Sequence, residues 1–102
     1  MTEEKIMKII RAQIVVSGLV QGVFFRSFVV RKAKGLDLVG FVMNKSDGTV
    51  LIMAEGEKPE IEKLITIVND GPDSADVDNV EVDWQKATDE FDEFTVEMEV
   101  QL

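Results

Sequence analysis

The order in which hydrophobic periodicities follow one another restricts this chain more than any other feature. Ile10, Ala12, Ile14 and Val16 alternate with Arg11, Gln13 and Val15, the period-two pattern of a half-buried strand. Phe25, Phe28, Val29, Ala33 and Leu36 then recur at spacings of three and four, which predicts a helix over 24–34 stopped by Gly35. Leu38 to Met43 is an almost wholly apolar run, read as a buried strand. The cluster Asn44-Lys45-Ser46-Asp47-Gly48 follows, and Thr49 to Glu55 is strand-like again, so a hairpin is expected. Ile61, Leu64, Ile65 and Val68 mark a second helix, and Asn69-Asp70-Gly71-Pro72 ends it. Val80, Val82 and Trp84, then Phe94, Val96, Met98 and Val100, alternate with polar neighbours as two further strands.

The resulting order, β-α-β-β-α-β with one more strand, predicts an α+β fold of the ferredoxin-like, split βαβ kind. An antiparallel sheet would be covered by two helices on one face. Residues 1–7 read as an N-terminal extension with little to bury, and 8–102 as a single domain. That fold serves many functions, so function has to be read from a site.

The candidate site is Gly18-Leu19-Val20-Gln21-Gly22-Val23-Phe24-Phe25-Arg26, which joins the first strand to the first helix. A helix start leaves four N–H groups without partners, and Ser, Thr, Asp or Asn usually caps them. None of those residues stands at positions 20–25. First turns also favour acidic residues, whereas the charge in this one is Arg26. Two glycines that let the backbone curl, free N–H groups and a guanidinium together make a place to hold an anion such as phosphate. The plainer reading is a tight connection with a solvated arginine. The second helix starts by the ordinary rules, with Pro59 in its first turn and Glu57, Glu60 and Glu62 near its N-terminus. That contrast makes the first helix informative.

Composition narrows the chemistry. The chain has neither cysteine nor histidine, so thiol catalysis, disulfides, thiolate or imidazole metal sites and phosphohistidine intermediates are excluded. Asp70, Asp73, Asp76 and Asp78 lie close together but fail the spacing of a calcium loop: counted from Asp76, Glu81 falls where glycine is needed and Ala87 where glutamate is. No cofactor and no metal are expected. The net charge is −9, with eight Lys/Arg against four Asp/Glu in residues 1–50 and three against sixteen in 51–102. That field repels polyanions and argues against nucleic acid or an acidic membrane as partner. No apolar run approaches the ~18 residues of a membrane span, and the first residues lack the pattern of a signal peptide. A cytoplasmic monomer is the expectation.

The second informative stretch runs from Gly40 through Phe41, Val42, Asn44, Gly48 and Val50 to Gly56. Alone it reads as a hairpin, with Asn44 favoured for local turn hydrogen bonds. Together the two stretches resemble the acylphosphatases. Residues 18–26 fill that family's first signature, G-x-V-Q-G-V-x-F-R, without a mismatch, and residues 40–56 fill its second. The likeness extends in pattern from about Lys8 to Val100. It implies hydrolysis of acyl phosphates to a carboxylate and inorganic phosphate without a metal. By the matched positions, the backbone of Gln21, Gly22, Val23, Phe24, Phe25 and Arg26 would cradle the phosphate, Arg26 would clamp it, and Asn44 would orient the attacking water. Free phosphate or sulfate would suit the same cradle.

The chemistry fits this composition independently. Phosphoryl transfer is catalysed mainly by positioning and charge stabilisation. The leaving carboxylate is stable at neutral pH, so no histidine is needed to protonate it. Leu51, where the family often has an acid, Asp76, where a base is common, and a C-terminus without the usual tyrosine all depart from the pattern. They are expected to leave Arg26 and Asn44 untouched and to bear on efficiency and substrate preference. Two rivals remain. A non-catalytic phosphate- or small-ligand-binding regulatory module would keep the cradle yet turn nothing over, and has no obvious need for a water-orienting amide opposite it. An RNA-recognition domain shares the element order, but wants exposed stacking aromatics and a basic surface that this chain lacks.

Overall fold

The computed structural model describes residues 8–100, so the expected extension at 1–7 lies outside the described residues. The elements are β1 (Ile9–Leu19), α1 (Phe25–Gly35), β2 (Val39–Asn44), β3 (Val50–Glu57), α2 (Lys58–Asp70), β4 (Asp76–Lys86) and β5 (Phe94–Met98). They form one five-stranded sheet in the order β4-β1-β3-β2-β5. β3 separates β1 from β2, and β1 separates β3 from β4, which is the split βαβ topology expected.

The helices bury the apolar stripes read from the sequence. Phe25, Val29 and Ala33 of α1 and Ile61, Leu64 and Val68 of α2 pack on Ala12, Ile14, Val16, Val42, Val50, Ile52 and Ala54 of the sheet, all essentially inaccessible to water. The run 38–43 is not buried on both faces as expected. Gly40 and Val42 face the helices, whereas Val39, Phe41 and Met43 turn to the opposite face and remain half-exposed. In the register of β2 and β3, Phe41 stands beside Met53 and Met43 beside Leu51, so this apolar surface is shared between strands. Gly35 is not the left-handed stop expected of it. Asp37 takes that role at φ 56°, and the N–H groups of Leu36 and Leu38 both close on the carbonyl of Ala33.

The sheet is mixed, which corrects the antiparallel expectation: β5 runs parallel to β2. The cause is a clasp at the end of the sheet where β4 finishes. The Glu55 carboxylate, 1% exposed, accepts Arg11 Nε at 2.6 Å and the N–H groups of Thr88 and Asp89 at 3.0 and 3.1 Å. Arg11 reaches on to Glu90 at 2.6 Å and lies over the Phe91 ring, which in turn packs on Phe41. The segment after β4 is thus drawn across the whole sheet end, and Phe94 enters the core on the far edge, starting β5 level with β2.

Burial alone would push the Glu55 carboxyl up. The Thr88 and Asp89 N–H groups and the Arg11 guanidinium outweigh it and hold the group below the ordinary glutamate range. A lowered folded value adds stability at neutral pH that is lost as pH falls through it. Glu55→Gln should therefore cost about 2 kcal/mol or more at neutral pH, because it leaves Arg11 under-compensated. The gap to wild type should close as pH falls below the glutamate range, as measured by urea unfolding at a series of pH values. A constant gap would show that the charge is not what matters.

Candidate active site

β1 and β4 fall out of register between Ser17 and Gly18. A Cβ at Gly18 would lie 2.2 Å from the Asp76 carbonyl oxygen, so only glycine fits. Gly18 belongs to β1, and the loop proper begins at Val20. Gly22 then takes φ 72° and Phe24 φ 60°, with Val23 between them on the ordinary side. Such alternation turns successive N–H groups toward one concavity. A left-handed Phe costs roughly 1 kcal/mol or more, so the turn is held from outside.

Three side chains hold it. Gln21 Nε2 donates to the carbonyls of Lys45 and Thr49 at 2.8 and 2.9 Å, latching the loop to the β2–β3 hairpin. Ser74 Oγ donates to the Val23 carbonyl at 2.8 Å, and Ser27 Oγ to the Phe24 carbonyl at 3.0 Å. Carbonyls are tied back while N–H groups stay open. The first helical N–H to find an acceptor is that of Phe28, on the Phe24 carbonyl. Among the described residues, the N–H groups of residues 21–27 donate to nothing.

No acidic residue stands in the first turn of α1, and no side chain caps it. α2 lacks a side-chain cap too, so the contrast between the helices is narrower than expected. It rests on Pro59 and Glu60 at the start of α2, against a curled backbone and Arg26 at the start of α1. Among the described residues, Arg26 forms no ion pair with any carboxylate.

Arg26 lies where two clefts meet. One, of about 410 Å³, runs along the cradle between Gly22, Phe24, Ser27 and Val96. The other, of about 370 Å³, lies between Asn44, the hairpin and the end of β5. Asn44 closes β2, and its Oδ1 is buried without a hydrogen-bond partner among the described residues. The local turn bonds expected of it are made by Asp47 instead, whose Oδ1 accepts Thr49 N and Oγ1 at 2.9 and 2.6 Å. Those bonds hold the Asp47 carboxyl below its ordinary range. Asn44 is thereby released from the turn and shares a cleft with Arg26.

All the expected site residues therefore gather at one end of the sheet. Phe25 contributes backbone alone, since its ring is in the core. Two contributions were not legible beforehand. Ser74 props the cradle from 51 residues away. Glu99 binds Lys45 Nζ at 2.8 Å and Ser46 N at 3.2 Å, which lays the segment after β5 beside the site. This corrects the expectation that the unusual C-terminus stays clear of Arg26 and Asn44, for Glu97, Met98 and Glu99 line a cleft with both.

A ferredoxin-like α+β domain, with an open N–H cradle and an arginine at one helix start and an asparagine that shares a cleft with that arginine, is the class these features define. The family model for acylphosphatase matches residues 12–96. The acylphosphatase of Salinibacter ruber is 48% identical over 81 residues, 79% of this chain and 85% of that one. Solved acylphosphatases from Coxiella burnetii (38% identity, 88% of this chain and 94% of that one) and Bacillus subtilis (32%, 85% and 97%) both superpose with a TM-score of 0.82. The chain belongs to the acylphosphatase family.

Proposed function

We propose that the protein hydrolyses acyl phosphates to a carboxylate and inorganic phosphate, at the cleft between the start of α1 and Asn44. The phosphoryl oxygens take the open N–H groups of the 21–26 turn, and the Arg26 guanidinium offers its two-pronged donor face to the same group. Asn44 Oδ1 accepts a hydrogen bond from a water and turns that water's lone pair toward phosphorus. The water oxygen bonds to phosphorus as the bridging P–O bond breaks. Its electron pair leaves with the carboxylate, and the water's protons pass to phosphate and solvent. A loose transition state asks for little push from the nucleophile, and the leaving group needs no proton. Positioning and fixed dipoles suffice, so the reaction runs without metal and in a single copy of the chain.

The observation that carries this reading is that Asn44 lines one cleft with Arg26 while its carbonyl oxygen has no partner among the described residues. A buried acceptor left empty costs about 1–3 kcal/mol. A module that only held phosphate would gain nothing from it on the far side of Arg26. Benzoyl phosphate should be hydrolysed well above the buffer rate in the presence of a chelator, with inorganic phosphate inhibiting competitively. Tight phosphate binding without turnover would favour the non-catalytic module instead.

A further inference from the structure

A phosphate fills only part of the cleft beside the cradle, and the rest is apolar. Apart from Arg26, no charged side chain lines it. Among the described residues seven large hydrophobic side chains are exposed, and three of them border the two clefts that meet at Arg26. Phe24 is 84% exposed, held out by its left-handed backbone, and Val96 is 46% exposed on β5; both border this cleft. Met98, 81% exposed, borders the adjoining one. Scattered exposed hydrophobics carry no meaning, but a cluster around one cleft marks a binding surface.

The charges point the same way. Arg26 serves the phosphate. Lys45, the other cation at the adjoining cleft, is bound by Glu99, and Glu97 adds a further carboxylate. A second carboxylate or phosphate on an acyl group meets no cation but Arg26 in the first cleft, and where the group reaches past Val96 to Met98 it finds Lys45 already paired beside two acids.

We infer, on the basis of the acyl phosphatase reading, that the surface formed by Phe24, Val96 and Met98 is an acyl subsite. It selects acyl phosphates whose acyl group is apolar, aromatic or aliphatic, and rejects those bearing a second anion. The occupant is fixed by connectivity: a phosphoryl group in the cradle leaves its acyl substituent beside Val96 and the Phe24 ring.

Three non-hydrolysable probes test this by calorimetric titration: acetylphosphonate, benzoylphosphonate and succinylphosphonate. Benzoylphosphonate should bind at least tenfold more tightly than acetylphosphonate, which about 55 Å² of apolar surface removed from water would supply. Succinylphosphonate should bind more weakly than acetylphosphonate despite its size. Val96→Ser should narrow the benzoyl preference at least threefold, by weakening the benzoyl probe more than the acetyl one. Glu99→Gln, by freeing Lys45, should improve succinylphosphonate binding at least threefold. Equal affinity for the benzoyl and acetyl probes, or tighter binding of the succinyl probe than of the acetyl one, would overturn the subsite. Absence of turnover with the affinity order intact would overturn the hydrolase reading and leave the subsite standing.

Discussion

Arg26→Ala should lower kcat/KM for benzoyl phosphate by about 10³-fold, the scale of losing a donor aimed at transition-state charge. Both parameters should suffer, because the guanidinium meets a phosphoryl group already anionic in the ground state and more so as the bridging bond opens. Arg26→Lys should recover only a small part, since an ammonium restores charge but not the planar fork. Stability should move the other way. A cation in a first helical turn opposes the helix dipole by about 0.3–1 kcal/mol, and Arg26 has no carboxylate partner among the described residues to lose. Urea unfolding of Arg26→Ala should therefore show a protein as stable as wild type or slightly more so.

Asn44→Ala should lower kcat by about 10²-fold or more while leaving KM close to wild type. It removes the group that holds the water, not one that holds the phosphate. Urea unfolding should show no loss of stability and a gain of up to about 1–3 kcal/mol, because the buried Asn44 carbonyl oxygen has no partner among the described residues to lose. The two variants therefore separate by their kinetic signatures, binding and chemistry for Arg26 and chemistry alone for Asn44. A large rise in KM for Asn44→Ala would place the amide on the phosphate instead.

Much of this molecule was legible from local pattern, because strand and helix periods are set by which residues must face one core. Ala12, Ile14 and Val16, or Ile61, Leu64 and Val68, announce their buried faces by spacing alone. The cradle was legible for a different reason. Gly22 and the uncapped, basic start of α1 break the usual rules of a helix terminus, and a broken local rule points to a site. What stayed hidden depends on contacts far apart in sequence. The parallel pairing of β5 is fixed by Glu55 gathering Arg11, Thr88 and Asp89. The left-handed backbone at Phe24 has no sequence signal, since Gly, Asn and Asp are the residues at home there. Glu99 meets Ser46, 53 residues away, and Lys45 beside it, which no period reveals.

In the proposed reaction phosphorus, held by the 21–26 turn and Arg26, is attacked by a water set by Asn44. Hydrolysis of benzoyl phosphate in water enriched in heavy oxygen, with chelator present, tests it most directly. Rapid turnover is expected, with the label in inorganic phosphate and none in benzoate. Label in benzoate, or a rate no faster than buffer, would contradict it.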